Sequence, residues 1–154
     1  MEGMHKYQVR AKSTRVRSGV VASDEIPEPI IFSAPPEFAG EGRVWTPEHF
    51  FVAALVSCYV STFSGMADVS NFKFECLEVE AKGTLERDAS GWTFTEIRLT
   101  PALKITREQD RERGLRLLEK AEKGCLIARS ITAHVTMAPT IKVVAELVLA
   151  EEPL

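Results

Sequence analysis

A basic excess, metal-ligand spacing, phosphate loops and an opening apolar run of signal-peptide length are all missing from this sequence, and each absence shapes what function is expected. The 154 residues carry 19 Lys and Arg against 22 Asp and Glu, a formal net charge of −3. There is no broad positive field to hold phosphates, so no nucleic acid is expected as a partner. The three cysteines, Cys58, Cys76 and Cys125, are too few and too scattered for a secreted disulfide framework. With no CxxC pair, and with His5, His49 and His134 in unrelated segments, no zinc site is indicated, and neither metal nor other cofactor is expected. The glycines form neither a G-x-G-x-x-G nor a Walker pattern. The opening MEGMHK has no apolar run of signal-peptide length, and Met4 offers a second possible start after Met1–Gly3. The expected compartment is the cytoplasm.

What remains is ordinary globular composition, 45% hydrophobic and 27% charged, at a length that suits a single domain over residues 1–154. The chain is organised around WTPEHFFVAALVSCYVSTFSGMA, Trp45 to Ala67. Thr46 is placed to cap a helix, Pro47 suits its first position, and Glu48 sets a negative charge at the positive end of the dipole. Between His49 and Asp68 no residue is charged. Such a helix has no solvated face and needs cover nearly all round. It lies at the lower length limit of a membrane span, but its hydroxyls, Cys58 and Gly65 make it a poor one, so no membrane partner is expected. A thiol, Cys58, sits in its middle.

Alternation of apolar and polar residues over Lys6 to Val21 predicts two short strands joined by a turn, with Lys6, Arg10, Lys12, Arg15 and Arg17 on the basic parity. Ser23 to Pro36 holds four of the eight prolines around Ile30 to Phe32, which confines any strand there to a sheet edge. After the central helix, Phe74 to Glu86 and Trp92 to Ile105 alternate on either side of an Asp88-Ala-Ser-Gly91 turn, predicting a long hairpin. Cys76 at its start reads as structural or incidental. Thr106 and Gln109 have capping-box spacing ahead of a second helix to about Lys123, which Gly124 closes as a C′ residue. Two more strands are expected over Thr132 to Met137 and Thr140 to Leu149, with EEPL as a frayed tail.

Strands in runs with only two helices indicate an α+β fold with antiparallel sheet. One small sheet and one amphipathic helix give poor cover for a helix apolar on every face. A symmetric homodimer that packs two central helices together would supply it.

The segment TPEHFFVAALVSCY resembles the OsmC/Ohr family pattern, in which a proline–glutamate pair opens the central helix and a cysteine follows ten positions after the glutamate, here Glu48 and Cys58. EKAEKGCLIARSI resembles the family's second cysteine motif and places the partner at Cys125, and GWTFTEIRLTPALKI resembles its middle region. The resemblance implies an OsmC-like fold in an intertwined dimer, and a thiol peroxidase that reduces organic hydroperoxides or hydrogen peroxide. Cys58 would be the peroxidatic thiol, oxidised to sulfenic acid and then paired in a disulfide with Cys125. An external dithiol, in the family a lipoylated protein among others, would reopen the bridge. An arginine held by the glutamate would favour the thiolate. Arg17 in VRSGVV resembles the family's R-x-G position, with Arg15 and Arg43 as rivals. Where another branch of the family has an arginine, this sequence has Phe38.

Two further expectations concern geometry. Cys125 would become thiolate readily if it begins a helical segment next to Lys123. Ten residues of helix span about 15 Å, so Glu48 would serve the Cys58 of the other subunit. Phe50, Phe51, Tyr59 and Phe63 offer an apolar pocket for a substrate tail, or a plain core. Two other readings stand beside the peroxidase: a non-catalytic dimer acting as a redox sensor or small apolar ligand binder, and a structural dimer with incidental buried cysteines.

Overall fold

Thr46 caps the central helix as its sequence position requires. Its Oγ1 accepts the backbone N–H of His49 at 3.2 Å and lies 2.8 Å from His49 Nδ1, and α1 runs from Pro47 to Val69. The computed structural model describes residues 3–145, and the chain divides into two compact units between Phe51 and Val52.

The first unit is an antiparallel sheet in the order β1-β2-β3, with β1 at Arg10–Arg15, β2 at Ser18–Ser23 and β3 at Ile26–Ser33. Pro27 and Pro29 fall in β3, an edge strand, where a missing N–H costs no ladder bond. The chain leaves β3 through a tight loop. A Cβ on Gly40 would meet the Ala34 carbonyl oxygen at 1.6 Å, so only glycine lets the loop close on itself. Trp45 then returns alongside the end of β3, its carbonyl accepting the Ser33 N–H at 3.0 Å.

The second unit is built on the long hairpin β4 (Cys76–Asp88) and β5 (Gly91–Ile105), paired from Cys76↔Lys104 to Asp88↔Gly91. Asp88 Oδ1 accepts from the Ser90 N–H at 2.7 Å and its hydroxyl at 2.6 Å, and Gly91 takes a φ of 122° that its lack of a Cβ permits. The sheet departs from the antiparallel expectation on its other side. β6 (His134–Met137) and β7 (Thr140–Val143) both lie parallel to β5, against Glu96–Leu99 and Ala102–Ile105 in turn. They form one interrupted run along a single edge. The intervening helices are the crossover a parallel return needs. The remainder of the expected last strand, and the tail, lie outside the described residues.

The second helix also starts later than the capping-box spacing suggests. A 3₁₀ turn at Glu108–Asp110 precedes α2 (Arg111–Gly124), and its carboxylates are engaged by arginines: Arg107 Nε to Asp110 at 2.8 Å and Arg111 Nε to Glu108 at 2.5 Å. No side-chain cap forms. A short α3 (Leu126–Ser130) follows with Cys125 between the two helices. Leu55, Tyr59 and Phe63 of α1 are fully buried, as are Ile97, Leu99, Leu103 and Ile105 of β5 and Leu118 and Ala121 of α2. Each large apolar side chain so enclosed contributes about 1.5–3 kcal/mol.

Within one chain α1 buries only the ridge Leu55, Tyr59, Phe63 and Ala67, spaced four apart. Ala54, Ser57, Ser61, Ser64 and Gly65 on other sides are exposed. By length and composition this helix is apolar enough to cross a bilayer, a property that core helices share.

Candidate active site

Position on α1 decides what Cys58 meets. It stands one residue before Tyr59, whose ring is fully buried, so Cys58 sits at the margin of the core and is half-buried. Four residues on, one turn of helix brings Thr62 over it, with Oγ1 3.9 Å from Sγ. The rest of its surroundings come from the α2–α3 corner. A Cβ on Gly124 would lie 2.6 Å from Met66 Cε and 3.5 Å from Thr62 Cγ2, so the missing side chain lets the corner settle on α1. Gly124 is thus the last residue of α2, needed for space and not for a left-handed closing turn.

The corner sets Cys125 against Cys58 and aims the first N–H groups of α3 at the Cys58 sulfur. Burial by itself pushes the Cys58 thiol up. Hydrogen bonds from the Ile127 N–H, the Cys125 thiol, the Thr62 hydroxyl and the Leu126 N–H outweigh it, and the net shift is below the ordinary cysteine value. Cys125 moves the other way. It is fully buried, which pushes its thiol up; the Ala128 and Ile127 N–H groups oppose this, but the neighbouring Cys58 adds to the rise. The expectation that α3 and Lys123 would favour a Cys125 thiolate is therefore corrected. Cys125 does precede the helix, but Cys58 gains the net benefit of its N–H groups. Both cysteines are free thiols.

Tyr59 closes the floor. Its hydroxyl lies 3.2 Å from the Leu118 carbonyl and 3.3 Å from Met137 Sδ, and burial, then the charges of Glu122 and Cys125, keep it protonated well above the usual range. Tyr59 and Phe63 are sealed in the core, so they line no substrate pocket.

The other two expected residues belong to the first unit. Arg17 lies in the β1–β2 turn rather than on a strand, with φ 61°, and its guanidinium donates to the Phe38 carbonyl at 2.5 Å. Arg15 pairs with Glu41 at 3.2 Å. Glu48 begins α1 with a buried Oε2 that has no hydrogen-bond partner among the described residues. An ordered helix from Pro47 to Val69 puts about 15 Å of rise between Glu48 and Cys58. The structure thus brings Cys58 and Cys125 together, while Arg17 is held by the Phe38 carbonyl and Glu48 Oε2 has no hydrogen-bond partner among the described residues.

Residues 40–140, well over half of the chain, match the family model described as OsmC-like protein. The chain belongs to the OsmC-like protein family. Among its relatives is the uncharacterized protein YmaD of Bacillus subtilis (strain 168), 26% identical over 108 residues that make up 68% of this chain and 72% of that one. The fold is shared with an OsmC-like protein of unknown function from Vibrio cholerae, at a TM-score of 0.79 and 22% identity, covering 89% of this chain and all of that one. It is shared too with an organic hydroperoxide resistance protein, OsmC, from Legionella pneumophila, at 0.71 and 22% identity over 91% of this chain and all of that one. These OsmC-like structures share the α+β fold of this chain.

The sequence missed the role of the α3 backbone. Its signal was there in GCLIARS: a glycine that permits close approach, then a cysteine ahead of a helical turn. The C-x-x-x-T spacing of Cys58 and Thr62 was the other.

Proposed function

We propose that this OsmC-like protein is a cytoplasmic, cysteine-based peroxidase that reduces organic hydroperoxides, working as a homodimer. The observation that carries the reading is the contrast between two adjacent thiols. Cys58 is accessible and biased toward thiolate, while Cys125 is enclosed and biased toward thiol. A peroxide arriving from solvent meets Cys58 first.

The Cys58 thiolate attacks the terminal oxygen of ROOH, the O–O bond breaks, and RO⁻ leaves to take up a proton as the alcohol, with Cys58 left as sulfenic acid. Cys125 then attacks the Cys58 sulfur and loses its proton. Hydroxide departs as water, and a Cys58–Cys125 disulfide remains. Thiol exchange with an external dithiol, such as that of a lipoylated protein, returns both thiols. Glu48 and a guanidinium, Arg17 in the first instance, serve the Cys58 of the other subunit. There the carboxylate holds the cation, and the cation stabilises thiolate and leaving oxygen. The buried Glu48 Oε2 without a hydrogen-bond partner among the described residues supports this assignment, because a lone buried carboxylate oxygen is costly and a cation from elsewhere would relieve it. The hydroperoxide-resistance name of the Legionella relative agrees with the substrate class.

The test is a count of free thiols after reduced protein meets stoichiometric cumene hydroperoxide. Wild type should lose two, Cys58→Ser none and Cys125→Ser one. No loss over minutes rejects the peroxidase. A single oxidation with no turnover under excess dithiol would favour a redox sensor, the reading suggested by an Arg17 already held on the Phe38 carbonyl.

A further inference from the structure

The α2–α3 corner that carries Cys125 also walls a cleft of about 430 Å³. That size lies within the usual range for small-molecule sites of about 300–1,000 Å³. Lys123 comes from the last turn of α2, Arg129 from α3, and Thr132 and His134 from the approach to β6 and its first residue. Neither cysteine lines it, so the cleft is separate from the thiol site. All four of these side chains are exposed, and none has a hydrogen bond or ion pair among the described residues. The arginines before and along α2 differ. Arg107, Arg111 and Arg116 each pair with a carboxylate, and Arg113 donates to the Ser70 carbonyl. Two unpaired cations, a hydroxyl and an imidazole thus surround one hollow in a chain of formal net charge −3. Glu122 is the one acid in the wall, half-buried and near enough to the buried Tyr59 hydroxyl to act on it.

The backbone ties this cleft to Cys125. The Cys125 N–H donates to the Glu122 carbonyl at 3.3 Å, and the Cys125 carbonyl accepts the Arg129 N–H at 3.1 Å. Lys123 and Arg129 therefore stand on different helices, with Cys125 between them in the chain. We infer that the cleft binds a small organic polycarboxylate, whose separated negative charges bridge Lys123 and Arg129 and clamp α2 to α3 across Cys125. The Arg129 guanidinium suits a carboxylate through two parallel N–H bonds, Lys123 adds a point charge, and Thr132 and His134 add donors. These groups lie on three elements, so charges spread over a dicarboxylate or tricarboxylate reach more of them than a compact phosphate does. Glu122 also repels negative charge concentrated at the inner wall. Cys125 is fully buried, so a reagent in solvent reaches it only when the corner opens. A ligand that binds the closed corner makes such openings rarer by the factor 1 + [L]/Kd. Occupancy of the cleft thus restrains the resolving thiol, whether or not the thiol pair consumes peroxide.

Citrate is the probe, titrated calorimetrically into reduced wild type at constant ionic strength. It should bind saturably and more tightly than inorganic phosphate. Arg129→Gln should weaken citrate binding by about tenfold, as the loss of one bidentate carboxylate contact does. Lys73→Gln, which removes an exposed cation between α1 and β4, should leave it unchanged. In Cys58→Ser protein, citrate at ten times its Kd should slow iodoacetamide labelling of Cys125 by about tenfold and leave labelling of Cys76 unaltered, read by peptide mass mapping. No saturable binding, phosphate binding as tight as citrate, or equal losses in Arg129→Gln and Lys73→Gln would each overturn the inference. So would citrate binding that leaves the Cys125 rate unchanged. A second copy of the chain seated over the cleft would block the titration and counts against it as well. None of these readouts uses peroxide, so the clamp and the peroxidase reading fail separately.

Discussion

At the residue scale the chemistry turns on which of two thiols is ionised. Cys58 has its pKa lowered, so its thiolate persists to lower pH than that of a free cysteine and is lost as pH falls through the lowered value. Cys125 is raised and stays protonated through the same range. Alkylation by iodoacetamide should therefore label Cys58 before Cys125 near neutral pH, read by peptide mass mapping. Removing one donor should move the balance in a known direction. Thr62→Val deletes the hydroxyl that favours the Cys58 thiolate, so the pH midpoint of Cys58 alkylation should rise, with thermal stability little changed. Tyr59→Phe tests a different link. It removes a buried hydroxyl beside the Leu118 carbonyl and should cost about 1 kcal/mol, seen as a lower denaturant midpoint at unchanged slope.

At the scale of elements, the site depends on how closely the α2–α3 corner approaches α1. Gly124 permits that approach. Gly124→Val would put branched carbons beyond a β-carbon that itself would lie 2.6 Å from Met66 Cε and 3.5 Å from Thr62 Cγ2, so that after the flexible Met66 tip moves aside the corner still has to give, at a cost of about 1 kcal/mol. The N–H groups of Leu126 and Ile127 would then withdraw from Cys58, so its alkylation midpoint should rise along with the loss of stability. Met66→Ala in the same chain should restore part of both. Recovery of stability without recovery of the midpoint would show that the corner does not govern the thiol. The hairpin and the helices were legible in sequence because each rests on local signals: alternation in β4 and β5, Asp88-Ala-Ser-Gly91 in the turn, Thr46-Pro47-Glu48 at the start of α1. The parallel return of β6 and β7 was not legible. Strand direction is set by the path of the crossover, and no residue in either strand encodes it.

At the scale of the whole molecule, α1 remains half covered in one chain, with Ala54, Ser57, Ser61 and Ser64 exposed along an otherwise apolar helix. Small side chains on such a face allow a second helix to approach closely, as the homodimer proposal requires. Sedimentation equilibrium should return twice the chain mass of 17.1 kDa. Ser61→Arg should lower that toward a single chain, because a charge would be driven into the helix contact. It should also slow peroxide consumption if Glu48 of one chain serves Cys58 of another. A monomeric wild type with full activity would refute the shared site.

The sequence alone determined the α+β class and the capped apolar helix, since periodicity and caps act over a few residues and need no partner, and it offered Glu48, Cys58 and Cys125 through a resemblance to family motifs. It read Arg17 as a strand residue and missed its place in the β1–β2 turn, because a left-handed φ at a non-glycine position leaves no mark in composition. Only the tertiary structure decided the rest. It made Gly124 a matter of space, sealed Tyr59 and Phe63 in the core, and tilted the hydrogen-bond balance at the α3 turn toward Cys58. Each of these depends on which groups meet across elements far apart in the chain, and burial and hydrogen bonding act on a thiol through those neighbours, not through its place in the sequence.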